Sequence, residues 1–451
     1  MKRKLFRQAW LALTLALLTV SSLSAQRVTP QNALASYLQN GDSAYGWSLS
    51  DSVHTEGATI YNGTLTSQRW QGMTLRHQLL VIVPERTVHS TALLFVTGGE
   101  SDAKGMPVAD APDSKLVRDM TRTATENRAV TAVLYQTPVQ PLYGGLREDA
   151  LIAYTVGQFL QTGDYSWPLL FPMVKGAVRA MDAVQEFASS RLPEGVDGFV
   201  VSGMSKRGWT TWLTGAQDKR VKAIAPMVFD MLNFPVSIPY QTEALGGASE
   251  MIHDYTDAGV LELVNSEAGK AVILMLDPYA YRKLLTMPKM IVLASNDPYW
   301  ATDAVKNYVD SLPGDNYIDY VPNAVHSIGD KTQSVALLSS FFGAVLNDAL
   351  PAPCVAAIRE TASAAEVTVT VPGSAASKAV LWMAEAPTRD FRKTVFRETP
   401  LPVRDGEILP FTVDYPQAGY RAFFVQLSTP AKDPAGNFVQ TTRMYIVPGK
   451  R

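Results

Sequence analysis

This sequence predicts an α/β fold, a mostly parallel sheet with helices on both faces, followed by an all-β C-terminal segment, and three observations predict it. Short, nearly all-apolar runs at residues 79–83, 92–96, 129–135, 198–202, 223–229, 290–294 and 317–321 read as strands buried on both faces. Segments at 148–159, 173–187, 206–216, 302–311 and 331–346 lie between or after them with helical spacing, and such alternation builds a parallel sheet with crossover helices. Beyond Pro351-Ala352-Pro353 the helical pattern stops. Runs at 367–371, 378–384, 411–413, 422–427 and 441–447, separated by turn residues, read as a β-sandwich-like domain over 354–451, joined through a junction with few crossing contacts.

Before the first buried strand, β-forming residues over 58–70 predict a small antiparallel start to the sheet. Residues 233–286 break the strand–helix rhythm with Pro235, Pro239, Gly246 and Gly247, and an insertion of that length after a strand is expected to form a cap over the α/β domain of residues 26–350. At the N-terminus, Lys2, Arg3, Lys4 and Arg7 precede an apolar stretch over 9–20 and small residues ending at Ala25, the three-part layout of a cleavable secretory signal peptide. That stretch is shorter than the ~20 residues of a spanning helix, and no later run is long and apolar enough to span a bilayer, so an exported protein, periplasmic or secreted and without stable membrane insertion, is expected.

Loss of those four cations takes the formal charge from −2 to −6, which argues against nucleic acid or an anionic membrane as partner. A single cysteine, Cys354, excludes an internal disulfide, so stability must come from the 47% of the chain that is hydrophobic. There is no G-x-x-x-x-G-K-[ST] loop, no H-E-x-x-H and no Cys/His cluster, so neither cofactor nor metal is expected.

The motif with most chemical content is Gly203-Met204-Ser205, where an apolar strand runs into a helix beginning at Lys206. A serine at such a turn is held in a strained conformation with Oγ presented at the strand's C-terminal end, the nucleophile elbow of the α/β-hydrolase fold, although here the second glycine falls one position late, at Gly208. A nucleophilic serine needs a base, and in this fold the order is Ser, acid, His. Of five histidines only His253 and His326 follow Ser205, and His326 alone follows the last strand candidate. Asp297, directly after the run at 290–294, is the candidate acid, Asp303 its main competitor and Asp230 the third. The backbone N–H of Lys206, with that of Gly99 in the loop Thr97-Gly98-Gly99, would form the oxyanion hole. Arg147, Glu148 and Asp149 cluster at a helix start, where acidic residues suit the helix dipole; the functional version is that Glu148 or Asp149 holds a cationic substrate group, such as a peptide N-terminus. Lys206 and Arg207 are expected on the helix surface.

The sequence resembles the PhoPQ-activated pathogenicity-related proteins. The resemblance is carried by Arg147-Glu148-Asp149-Ala150-Leu151-Ile152-Ala153-Tyr154, Trp167-Pro168, Ser205-Lys206-Arg207-Gly208-Trp209-Thr210, Pro226-Met227-Val228-Phe229-Asp230, Asp277-Pro278-Tyr279, Pro322-Asn323 with His326, and Asp390-Phe391-Arg392. It implies an α/β-hydrolase domain followed by a β-rich domain, Ser205 as nucleophile, His326 as base, and a link to virulence or antimicrobial-peptide resistance. Where relatives read Gly-Asp-Glu-Phe-Phe-x-Pro-Asp, this chain has Asn296-Asp297-Pro298-Tyr299-Trp300-Ala301-Thr302-Asp303, which keeps both aspartates. The expected function is that of an exported serine hydrolase cleaving a small-molecule ester or a peptide amide through an acyl-enzyme on Ser205. The alternative is a non-catalytic exported binding or signalling protein on the same scaffold.

Overall fold

The computed structural model describes residues 27–260, 266–431 and 436–450; the expected signal peptide, 1–25, lies outside them. After α1 (Ala33–Leu38), strands β1 (Gly46–Thr55), β2 (Ala58–Trp70) and β3 (Met73–Pro84) form an antiparallel edge. Then come β4 (Thr91–Val96), α2 (Lys115–Asn127), β5 (Thr131–Leu134), α3 (Glu148–Thr162), α4 (Leu170–Ser189), β6 (Gly198–Met204), α5 (Lys206–Gln217), β7 (Val221–Met227), α6 (Phe234–Leu245), α7 (His253–Asp257), α8 (Glu267–Leu276), β8 (Lys289–Ala294), β9 (Asn316–Val321) and α9 (Thr332–Leu346). The strands lie in the order β1-β2-β3-β5-β4-β6-β7-β8-β9, and from β5 to β9 every pairing is parallel. This is the α/β-hydrolase fold.

The apolar runs make this sheet because each strand must bury both faces. In β4, Ala92, Leu94 and Val96 point into one core with Ile152 of α3 and Val174 and Ala177 of α4, while Leu93 and Phe95 point into the other with Met120 of α2 and Phe341 of α9. Successive side chains of a strand face opposite sides, so an all-apolar strand requires helices on both. Two of the differences from the sequence reading lie within the α/β part of the chain. Helix α2 was not expected, although Ser114 caps it by accepting from the Val117 N–H. The helix expected at 302–311 is two short 3₁₀ turns, Ala304–Asn307 and Val309–Ser311: Asp303 makes no side-chain cap there, its carboxylate being engaged elsewhere.

The C-terminal segment is all-β, with β10 (Val355–Glu360), β11 (Ala364–Thr370), β12 (Lys378–Ala386), β13 (Arg397–Leu401), β14 (Val403–Arg404), β15 (Glu407–Ile408), β16 (Phe411–Asp414), β17 (Tyr420–Ala431), β18 (Gly436–Thr441) and β19 (Tyr445–Pro448). The sheet β10-β11-β16 stacks on β12, β17 and β19 around Val367, Val369, Leu381, Phe423 and Leu427, giving two β layers. The expectation of few crossing contacts at the junction is corrected. Strand β18 pairs antiparallel with β9 through Thr441 and Ile318, and Tyr320 N–H donates to Thr441 Oγ1 at 3.2 Å. The larger C-terminal layer therefore continues the hydrolase sheet and covers an edge that would otherwise expose unpaired backbone groups.

Candidate active site

Ser205 sits between β6 and α5 with φ 58° and ψ −124°, a conformation that costs a non-glycine residue about 1–3 kcal/mol. Its N–H donates to Met227 O of the neighbouring β7 at 2.8 Å, which pins the turn. The two glycines make the turn possible. A Cβ on Gly203 would lie 2.8 Å from the Arg207 carbonyl oxygen, and one on Gly208 would lie 2.7 Å from Met227 O. The displaced second glycine thus serves the approach of α5 to β7.

Two loops from distant parts of the chain meet at this serine. His326, in the loop after β9, has Nε2 2.8 Å from Ser205 Oγ and Nδ1 2.8 Å from Asp297 Oδ2. A carboxylate only accepts, so Nδ1 carries the hydrogen and Nε2 is left to accept from the serine hydroxyl. Asp297 Oδ1 accepts the Tyr299 N–H at 2.9 Å, and the Tyr299 ring packs against the imidazole with centroids 4.1 Å apart and the planes tilted by 32°. Both loops are braced by the C-terminal segment: Asn296 Nδ2 donates to Phe391 O and Thr394 O, each at 2.9 Å, and Asn323 pairs both ways with the Phe396 backbone. Sequence reasoning singled out neither asparagine for such a role, since their partners lie more than seventy residues downstream.

Asp303 and Asp230 stand apart from the histidine. Asp303 is buried and holds Lys306 at 2.7 Å, Arg389 at 2.9 Å and the Tyr240 hydroxyl, tying helix α6 to the C-terminal segment. Asp230 accepts from the Tyr308 hydroxyl at 2.7 Å, and burial pushes its carboxyl up to about 8. The chain holds a second Ser–His contact, Ser67 Oγ to His77 Nε2 at 2.9 Å, but both side chains are buried, His77 Nδ1 faces the Tyr135 carbonyl and burial pushes the imidazole down to about 4. A neutral histidine held by a carbonyl is a packing element.

Of the expected oxyanion donors, Lys206 is the first residue of α5, so its N–H has no intrahelical partner and lies at the positive end of the helix dipole. In the opposite loop Gly98, rather than Gly99, lines the cleft with Ser205 and His326. Gly99 has φ 151° and packs on Gln136, whose Nε2 would lie 2.8 Å from a Cβ there.

The charged residues around the elbow form a closed network. Arg207 makes a bidentate pair with Glu148, both contacts at 2.8 Å, and its Nε also donates to Thr137 O. Lys206 Nζ lies 2.9 Å from Glu148 and 3.4 Å from Asp149, which also accepts from the Tyr255 hydroxyl at 3.0 Å. Lys206 and Arg207 are buried, not on the helix surface as expected, and Glu148 and Asp149 neutralise these cations of the chain itself, which leaves neither carboxylate free for a substrate cation. Burial pushes the Glu148 carboxyl up, but the Arg207 and Lys206 charges outweigh it and hold it down at about 2. Its contribution to stability is therefore complete above the ordinary value of 4.5 and is lost as pH falls from there through about 2. Glu148→Gln is expected to lower unfolding stability at pH 7 by about 2 kcal/mol, because two buried cations lose a counter-charge. Urea melts of both proteins between pH 7 and pH 3 check this: the difference should shrink toward the acid end.

Ser205 lines two spaces of different character. On one side, beneath the insertion of residues 233–286, is an apolar chamber of about 110 Å³ walled by Trp209, Phe229, Phe234 and Trp300. The Trp209 and Phe229 rings are stacked with centroids 4.8 Å apart. On the other is a larger cleft of mixed lining, about 490 Å³, where Thr97, Lys115, His326 and Lys331 stand beside Phe95, Leu116 and Val335. Among the described residues no group of three or more His, Cys, Asp or Glu is placed to hold a metal ion, and no helix is long and apolar enough to cross a membrane.

The family model for the PhoPQ-activated pathogenicity-related protein matches residues 34–392, from α1 through the loops that carry Asp297 and His326. The chain belongs to this family. As a PhoPQ-activated pathogenicity-related protein it is similar to Autocrine proliferation repressor protein A of Dictyostelium discoideum, 31% identical over 445 residues that cover 91% of this chain and 88% of the relative. Among solved structures it is similar to acetyl xylan esterase 1 from Thermoanaerobacterium sp. JW/SL YS485, with TM-score 0.48, 15% identity, and 70% of this chain and 94% of the other covered. It is also similar to an S-formylglutathione hydrolase from Agrobacterium tumefaciens, with TM-score 0.44, 10% identity, and 66% and 99% covered. The family match ends at residue 392, so β13 to β19 lie beyond it.

Proposed function

We propose that this family member is a serine hydrolase that cleaves an ester through an acyl-enzyme on Ser205. The observation that carries the reading is the chain of two 2.8 Å contacts, Oγ to imidazole to carboxylate, at a strained serine that opens on a cleft. Oγ attacks the substrate carbonyl carbon while His326 Nε2 takes its proton. Charge then develops on the carbonyl oxygen, where the Lys206 N–H and the N-terminal dipole of α5 stabilise it. The imidazolium, oriented by Asp297, returns the proton to the leaving alcohol as the carbon–oxygen bond breaks, and water repeats the cycle to release the acid. An ester is favoured over a peptide amide with a free N-terminus because Glu148 and Asp149 are already matched by Lys206 and Arg207.

A pre-steady-state time course with a p-nitrophenyl ester tests the reading. A burst of about one equivalent of p-nitrophenol, followed by slower turnover, is expected of an acyl-enzyme. A second reading is a signalling protein on an inactive hydrolase scaffold, which the name of the relative, an autocrine proliferation repressor, favours. A folded protein with neither burst nor turnover supports that reading instead. In either case the protein is proposed to act outside the cytoplasm after cleavage of its N-terminal signal, a reading that the word autocrine in the relative's name also supports. N-terminal sequencing of exported material should find a start between Leu23 and Val28, and an intact Met1 chain would contradict this.

A further inference from the structure

We infer, resting on the hydrolase reading, that the substrate is an ester of an apolar acyl group, the acyl chain lying in the chamber beneath the insertion and the alcohol in the mixed cleft beside His326. The chamber is made for an uncharged chain. Its wall on the body is one stripe of α3, Ile152, Val156 and Leu160, at the spacing of a single helix face, and its wall on the insertion is Val272, Ile273 and Leu276 of α8. The charged groups at its rim cancel: Asp149 is met by Lys206 at 3.4 Å and by the Tyr255 hydroxyl at 3.0 Å. A charged substrate group placed there would lose its hydration and gain no counter-ion.

Proton bookkeeping gives the direction. The leaving oxygen must receive its proton from His326 Nε2, so the alcohol leaves on the side the imidazole faces. Ser205 lines both spaces, whereas His326 lines the mixed cleft and is screened from the chamber by the ring of Tyr299, which forms part of the chamber wall and lies tilted against the imidazole. The acyl group therefore takes the chamber. The alcohol meets Thr97, Lys115, Ser327 and Lys331 together with Phe95, Leu116 and Val335, a mixed lining that suits an alcohol carrying further hydroxyls on a carbon frame.

Methyl hexanoate and pentyl acetate test this, because they are isomers with the same number of methylenes and differ only in which side of the ester carries the chain. Each methylene buried is worth roughly fourfold, so methyl hexanoate should exceed methyl acetate by on the order of a hundredfold in kcat/KM, and should exceed pentyl acetate, whose chain meets the partly apolar cleft, by on the order of tenfold. Ile273→Trp, which fills the chamber from its insertion wall, should bring the ratio close to parity; Val272→Phe serves if that variant does not fold. A second arm is independent of turnover: Ser205→Ala titrated with methyl hexanoate and methyl acetate, followed by the fluorescence of Trp209 and Trp300, should bind the longer ester on the order of a hundredfold more tightly. Preference for pentyl acetate would overturn the orientation, and equal binding of the two methyl esters would overturn the chamber assignment. Tight binding of methyl hexanoate with no turnover of either isomer would refute the hydrolase reading and leave the chamber as a site for an apolar group.

Discussion

Ser205→Ala is expected to lower kcat/KM for ester hydrolysis by on the order of 10⁴-fold or more while the thermal melt moves by no more than about 1 kcal/mol in stability. The substitution removes Oγ and its 2.8 Å contact to His326 and nothing else. Alanine keeps a Cβ, so the strained turn, the Gly203 and Gly208 approaches and the hold of the Ser205 N–H on Met227 O are unchanged in kind. His326→Ala should cost nearly as much, and the double variant little more than either alone, because residues that act as one unit do not contribute additively. Steady-state kinetics and circular dichroism on the three variants check both halves. A Ser205→Ala protein that retains a tenth of its turnover would mean that another group attacks the substrate.

The second large effect separates two aspartates that follow the same strand. Asp297→Asn is expected to lower turnover by about 10⁴-fold, because an amide can turn its NH₂ toward Nδ1 and stabilise the tautomer whose Nε2 carries the hydrogen, which cannot take the serine proton. Asp303→Asn is expected to change turnover by less than about tenfold and to lower stability by about 1–3 kcal/mol, because Arg389 and Lys306 lose a buried carboxylate that joins the insertion to the C-terminal segment. Turnover against urea midpoint for the two variants should place them at opposite corners. The reverse pattern would mean that His326 is oriented by Asp303.

Much of this architecture is legible locally. Strands such as β4, β6 and β8 are apolar over their length because both faces are covered, and the run into Gly203-Met204-Ser205 marks the elbow before any coordinate is known. His326 follows from order and elimination. What the sequence leaves open depends on meetings between distant segments. Asp297 and Asp303 both follow β8, and only the path of the loop after β9 decides which one meets the histidine. Lys206 and Arg207 read as surface charge because their counter-ions, Glu148 and Asp149, lie on another helix more than fifty residues upstream. The loop glycine beside the cleft is Gly98, one residue from the expected Gly99, a difference set by how Gln136 packs against the turn. The joining of β18 to β9 is equally silent in the sequence, since one ladder position between residues 123 apart leaves no periodic trace.

Trapping the nucleophile tests the central claim most directly. The native protein incubated with an alkyl fluorophosphonate should gain the mass of one phosphonyl group, the fluoride leaving as Oγ forms its bond to phosphorus, and peptide mapping should find that mass on Ser205. Labelling should be lost in Ser205→Ala and strongly suppressed in His326→Ala, because an unassisted serine is a weak nucleophile at neutral pH. Labelling that survives in Ser205→Ala, or that maps to another residue of the folded protein, would contradict the account.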